Sequence, residues 1–151
     1  MLRTRLSNEL KLAIRAKDEC HKATLRLILA ALKDRDIAAK TKGCSEGISD
    51  DDILEMLQTM VKQCAESIEL YRKGGRIDLA QRESQEIDVI RSFLPEPLSQ
   101  KETEAAVRQV ITDVGASGLK DMGRTMTALR EQYAGRMDFR VASTTVKVHL
   151  G

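Results

Sequence analysis

Aromatic residues are nearly missing from this chain: there is no tryptophan, and only Tyr71, Phe93, Tyr133 and Phe139 occur among 151 residues. That scarcity disfavours a sheet built on aromatic packing, and it disfavours a single-strand nucleic-acid platform, which needs exposed rings for bases to stack on. Proline is as scarce, and Pro95 and Pro97 are its only two occurrences. No apolar run approaches the roughly 20 residues that cross a bilayer, and no h-region follows the start, so no membrane partner is expected. Cys20, Cys44 and Cys64 are odd in number and far apart, with only His21 and His149 as imidazoles. This excludes a disulfide framework and paired metal-ligand spacing, and no metal is assigned. Unpaired thiols predict a reducing compartment and a cytoplasmic location. The basic first helix has one property of a mitochondrial transit peptide, but Glu9, Asp18 and Glu19 run against the acid-poor composition of such segments.

What remains is rich in Ala, Leu, Lys, Arg, Glu and Gln, the residues that cost least in a helix, and it predicts an all-α chain. Leu2, Leu6, Leu10 and Ile14 define a first amphipathic helix ending near Lys17, and Leu25, Ile28, Leu29, Leu32 and Ile37 a second. Residues 41–47 read as a loop. Ser49 with Asp52 resembles a capping box opening a helix through Ile53, Leu57, Cys64 and Tyr71, stopped by Gly74-Gly75. A fourth helix carries Leu79, Ile87, Ile90 and Leu94. Pro95 and Pro97 lack backbone donors and disfavour helix in the residue before them, so residues 1–94 are expected as a bundle of about four helices and 95–98 as a linker. Residues 99–151 are expected as a three-helix module, begun by the capping box Ser99/Glu102 and continued by helices near 119–134 and 139–149.

The net charge of +2 conceals a segregation. Residues 1–45 hold eleven Lys and Arg against five Asp and Glu, residues 46–118 eight against fifteen, and residues 119–151 six against three. Basic ends flanking an acidic middle can steer an anionic partner, although solvated helix faces carry such charges without any partner.

No catalytic constellation assembles. Cys20 and His21 are neighbours on a helix and do not face each other, Cys44 falls in a loop, and Cys64 sits on an apolar stripe. No glycine-rich phosphate loop with its lysine is present. Asp121 and Asp138 read as helix-start carboxylates, and no cofactor is expected.

Residues 114–138 are the unusual stretch. At about 100° per residue, Met122, Met126, Leu129 and Tyr133 share one helix face, with Lys120, Arg124, Thr127 and Glu131 opposite. Gly118 reads as an N-cap, Gly135 as the left-handed residue closing the helix, and Gly123 as a glycine with no local reason, suggesting close approach by another backbone. Lys120, Gly123, Arg124, Gly135, Arg136, Arg140 and Lys147 form the candidate RNA-binding set, with Arg136 alternatively paired to Asp121 or Asp138.

These residues resemble the GatB/YqeY family. The resemblance rests on Lys120-Asp121-Met122-Gly123-Arg124 with Met126, on Gly135-Arg136-Met137-Asp138, and on the last helix with Val146 and Lys147. Further back it rests on Tyr71-Arg72-Lys73-Gly74-Gly75-Arg76-Ile77-Asp78-Leu79-Ala80, on Glu86-Ile87, and on Phe93-Leu94-Pro95-Glu96-Pro97-Leu98-Ser99. Arg124 stands where lysine is frequent in the family, which keeps the charge. The resemblance implies similarity to the tail region of the B subunit of the glutamine-dependent aminoacyl-tRNA amidotransferase. There the tail handles tRNA while the chemistry lies elsewhere, so a label of carbon–nitrogen ligase with glutamine as amide donor is inherited from the larger enzyme.

The expected partners are therefore a tRNA, read by shape and phosphate position, and an aminoacyl-tRNA-modifying enzyme or other protein, with no DNA. The alternative is a protein-interaction bundle without an RNA role. The isolated chain is predicted not to release ammonia from glutamine or phosphate from ATP above background in a direct assay; a thiol-dependent glutaminase activity would overturn that expectation.

Overall fold

The computed structural model describes residues Met1–Gly151 and contains helices and no strand. The order is α1 (Leu2–Arg15), α2 (Glu19–Thr41), α3 (Asp50–Lys73), α4 (Ile77–Arg91), α5 (Gln100–Val114), a single 3-10 turn (Leu119–Asp121), α6 (Met122–Tyr133) and α7 (Phe139–Leu150). Two compact units result, Met1–Leu94 with four helices and Pro95–Gly151 with three.

In the first unit the starts of α2 and α3 find side-chain acceptors for their free N–H groups. Asp18 accepts from the His21 N–H at 3.1 Å and Ser49 Oγ from the Asp52 N–H at 3.2 Å, and Asp50, Asp51 and Asp52 then sit at the positive end of α3. The core is Leu6, Leu25, Ile28, Ile53, Met56, Leu57, Ile90 and Phe93; each large apolar side chain so buried contributes roughly 1.5–3 kcal/mol. Two residues assigned to buried stripes lie outside it, Ile14 at 47% exposure and Ile37 at 54%. A repeat of four drifts about 40° per step from the true helical period, so Ile14 has rotated about 80° away from Leu6. Ala13, seven residues from Leu6, stays in register and is buried.

One ion pair ties α1 to α2 and to the loop ahead of α3. The Arg3 guanidinium donates to both Asp36 carboxylate oxygens and, at 2.7 Å, to the Ile48 carbonyl; the Ile48 N–H donates back to Asp36 at 3.0 Å. The bonds from Arg3 hold the Asp36 carboxyl below its ordinary range. The loop must pass this carboxylate closely. Gly47 has φ +84°, and a Cβ there would lie 2.7 Å from the Asp36 Cγ.

In the second unit Ser99 and Glu102 form the full reciprocal capping box, both bonds at 3.1 Å. Gly115 ends α5 at φ +66°, and Val107, Val110, Leu129, Ala142 and Val146 are fully buried.

Asp36→Ala is predicted to lower stability by about 2 kcal/mol at neutral pH, the scale of hydrogen bonds to charged groups. Because the folded-state pKa is depressed, this contribution is complete above the unfolded value of about 4 and is lost as pH falls through the folded value. Urea unfolding of parent and variant should therefore converge in acid; an equal deficit at neutral and strongly acid pH would contradict the assignment.

Candidate nucleic-acid interface in the C-terminal unit

The approach to α6 is organised by one carboxylate. Asp121 accepts from the Ser117 N–H at 2.9 Å and from the Arg124 guanidinium at 3.0 Å. Its side chain is 15% exposed while that of Arg124 is 58% exposed. The Ser117 amide first, and then Arg124, hold the Asp121 carboxyl below the usual range. Asp121 is thus a helix-start carboxylate, as its position predicts. Gly118 is an N-cap in the extended conformation such residues take, but of the 3-10 turn and not of α6, which starts at Met122.

Met126 and Leu129 are buried with Met122 and Tyr133 packed beside them, while Lys120, Gly123, Arg124 and Thr127 are exposed. A Cβ built on Gly123 meets nothing within 4 Å. No backbone of this chain approaches Gly123, so the expected close contact is absent within the chain and the lane it opens faces outward. That lane continues through Thr127 to Arg130, at helical spacings of four and three. Arg130 is missing from the sequence-derived set, although its spacing from Gly123 and Thr127 places it there. Its guanidinium lies 5.8 Å from the centroid of the Phe139 ring.

Gly135 has the expected left-handed φ directly after the C-cap residue Ala134, but it serves a different motif. It has φ +78°, but Ala134 stands at φ −53°, ψ 128°, and the Arg136 N–H donates to the Tyr133 carbonyl at 3.0 Å. This is a type II turn with glycine at its third position, and it follows the helix end instead of capping it.

Arg136 is engaged with the proline segment. Its carbonyl accepts from the Leu98 N–H at 2.9 Å and its Nε donates to the Glu96 carbonyl at 3.0 Å, so its partners are main-chain groups and not Asp121. Asp138 caps α7 by accepting from the Arg140 N–H at 2.9 Å. Arg140 and Lys147 are exposed on α7, seven residues and so about 10 Å apart along one side.

Nothing in the thiol set resembles an activated nucleophile. Cys20, Cys44 and Cys64 are unpaired, and burial, followed by Glu83, pushes the Cys64 thiol up to about 12. No helix is long and apolar enough to cross a membrane.

Nearly the whole sequence, residues 3–150, matches the model of a family described as Yqey-like protein. The chain belongs to the YqeY-like family. YqeY-like relatives include the protein named "Altered inheritance of mitochondria protein 41, mitochondrial" in three yeasts. The one from Lachancea thermotolerans is 30% identical over 151 positions, covering 96% of this chain and 76% of the relative. That from Kluyveromyces lactis is 31% identical over 74% of this chain and 60% of the relative. The Saccharomyces cerevisiae protein is 33% identical over 59% of this chain and 46% of the relative. The matched region therefore spans three quarters of the first relative and about half of the last.

These names overturn the cytoplasmic expectation, since the curated YqeY-like relatives are named as mitochondrial proteins. The physical reason for the error is simple: unpaired thiols indicate a reducing compartment without saying which one. The acidic residues of the first helix only argue that it belongs to the fold, and Leu6 of α1 is indeed fully buried.

Two substitutions separate the roles assigned here. Gly123→Ala should raise stability by up to about 1 kcal/mol, because the added methyl meets open space and alanine is the better helix former. Arg136→Ala should lower it by about 1 kcal/mol through removal of the bond to Glu96. Chemical denaturation of the full chain measures both, and a destabilised Gly123→Ala would mean that the lane is not open.

Proposed function

We propose that this YqeY-like protein is a tRNA-binding module that works beside an aminoacyl-tRNA-modifying enzyme, using the exposed start of α6 and the exposed side of α7. The observation that carries the reading is Gly123, left bare in open space between Lys120 and Arg124 on a face pointing away from the core. A helix tolerates an interior glycine at a cost of roughly 1 kcal/mol. Close approach of a phosphate backbone is a physical use for that cost, and flanking cations supply the attraction. Arg124 is held by Asp121, which keeps its guanidinium in one place and lowers the entropy lost on binding. Arg140 and Lys147 extend the charge along α7. The absence of fully exposed aromatic side chains favours a folded RNA read by shape over a single strand read by stacking. Arg136, in this reading, supports the site more than it touches the ligand. The relatives' names favour a mitochondrial place of action.

A second reading has its own support. Leu119 at 58%, Val141 at 55% and Val148 at 74% exposure give this unit apolar side chains among its cations, which suits a protein partner.

Electrophoretic and filter-binding titrations of bare and aminoacylated tRNA test the first reading. Lys120→Ala with Arg124→Ala, and separately Arg140→Ala with Lys147→Ala, should weaken binding and reduce the salt slope by roughly 0.7–0.9 for each phosphate that the variant no longer neutralises. Gly123→Leu should fold normally and fail to bind. A parent that does not bind tRNA at low salt, or variants that all bind like the parent, would transfer the function to the protein-interaction reading.

A further inference from the structure

The N-terminal unit holds a constellation that the RNA reading does not use. Helices α3 and α4, joined by the short Gly74-Gly75 connection, lie against each other. Glu83 and Glu86 are one turn apart on α4, and Cys64 meets them from α3. A ligand atom from each of the three lies within 4.8 Å of the others, and all three side chains are half-buried. The Cys64 Sγ–H points at Glu86 Oε2, 4.0 Å away. The three donors line an open cleft of about 200 Å³ bounded by α2, α3 and α4, whose walls also include Leu27, Met60 and Ile90.

We propose that Cys64, Glu83 and Glu86 bind a borderline-soft divalent cation of the zinc type at the mouth of this cleft. The donor set selects the class. One thiolate and two carboxylates are three ligands of a tetrahedral site, and the cleft leaves the fourth position to water and gives the ion a way in. Magnesium and calcium are disfavoured, since they take six or more oxygen ligands and no sulfur. The required metal–ligand distances of about 2.0–2.3 Å are reached by drawing in two flexible glutamates toward a thiol on a facing helix. On binding, the Cys64 S–H proton leaves to solvent and the sulfur lone pair goes to the metal.

Burial and the neighbouring Glu83 raise the Glu86 carboxyl, with partial relief from Arg82, and burial and Glu83 raise the Cys64 thiol. A group whose folded-state pKa is raised in this way is disfavoured in its ionised form by the fold.

The test uses the full chain carrying Cys20→Ser and Cys44→Ser, so that Cys64 is the sole thiol. Cadmium ion alone is titrated in, following the ultraviolet thiolate-to-cadmium charge-transfer band, with zinc as competitor and magnesium as control. The expected result is saturation at one equivalent, displacement by zinc, indifference to excess magnesium, and a zinc-dependent rise in melting temperature. Adding Cys64→Ser should abolish the band. Glu83→Gln and Glu86→Gln should each keep a band but weaken binding about tenfold or more. Glu86→Gln should also melt no lower than its parent at neutral pH without metal, since it removes a disfavoured charge, so its weaker binding is not a folding defect. No saturable band, or a band whose affinity neither glutamate substitution changes, would reduce Cys64 to an ordinary thiol and overturn the site.

Discussion

Arg136 ties the turn before α7 to the segment ahead of α5 through both its main chain and its side chain. Pro95 and Pro97 cannot donate hydrogen bonds, so the segment between α4 and α5 cannot satisfy its own carbonyls by forming a further helical turn. The Arg136 Nε supplies a donor to the Glu96 carbonyl at 3.0 Å, and its carbonyl takes the Leu98 N–H at 2.9 Å. This bridge sets the turn before α7 against the entry to α5. The capping box at Ser99, the type II turn at Gly135 and the Asp138 cap then fix where α5 and α7 begin. The positions of Arg140 and Lys147 depend on that geometry.

The same economy divides the charged residues into two groups. Four carboxylates at helix starts serve the backbone: Asp18, Asp121, Glu102 and Asp138 all accept main-chain N–H bonds. Arg3 and Arg136 are committed to loops by bonds to carbonyls. Lys120, Arg140 and Lys147 have exposed side chains, and Arg124 is aligned without being covered. A motif rich in basic residues is thus part scaffold and part surface, and only the surface part is available to an anionic ligand. Glu86 belongs to neither group, since burial and the neighbouring Glu83 push it toward its neutral form.

Helix order and type are readable in the sequence because they depend on local chemistry. The Ser99/Glu102 box and the burial of Met126 and Leu129 both follow from spacings of three or four residues. Features that depend on distant segments are not readable. Arg136 meets Glu96 across 40 residues and Cys64 meets Glu86 across 22, and neither pairing leaves a periodic trace. Gly135 misleads for a different reason: a glycine with positive φ serves a type II turn as well as a helix cap, and composition does not distinguish them. Gly123 lacks a local reason in the structure as in the sequence, but the approach it suggests is not made by this chain.

Amide hydrogen exchange of the full chain, with and without bare tRNA at low salt, tests the proposed RNA face most directly because it reads location and stability together. Added protection is expected only at the start of α6 and along α7, around residues 119–127 and 138–147, with the Leu98 amide equally protected in both states. Protection appearing only in the first unit, or a Leu98 amide that exchanges faster once RNA is added, would contradict a rigid, Arg136-supported RNA face.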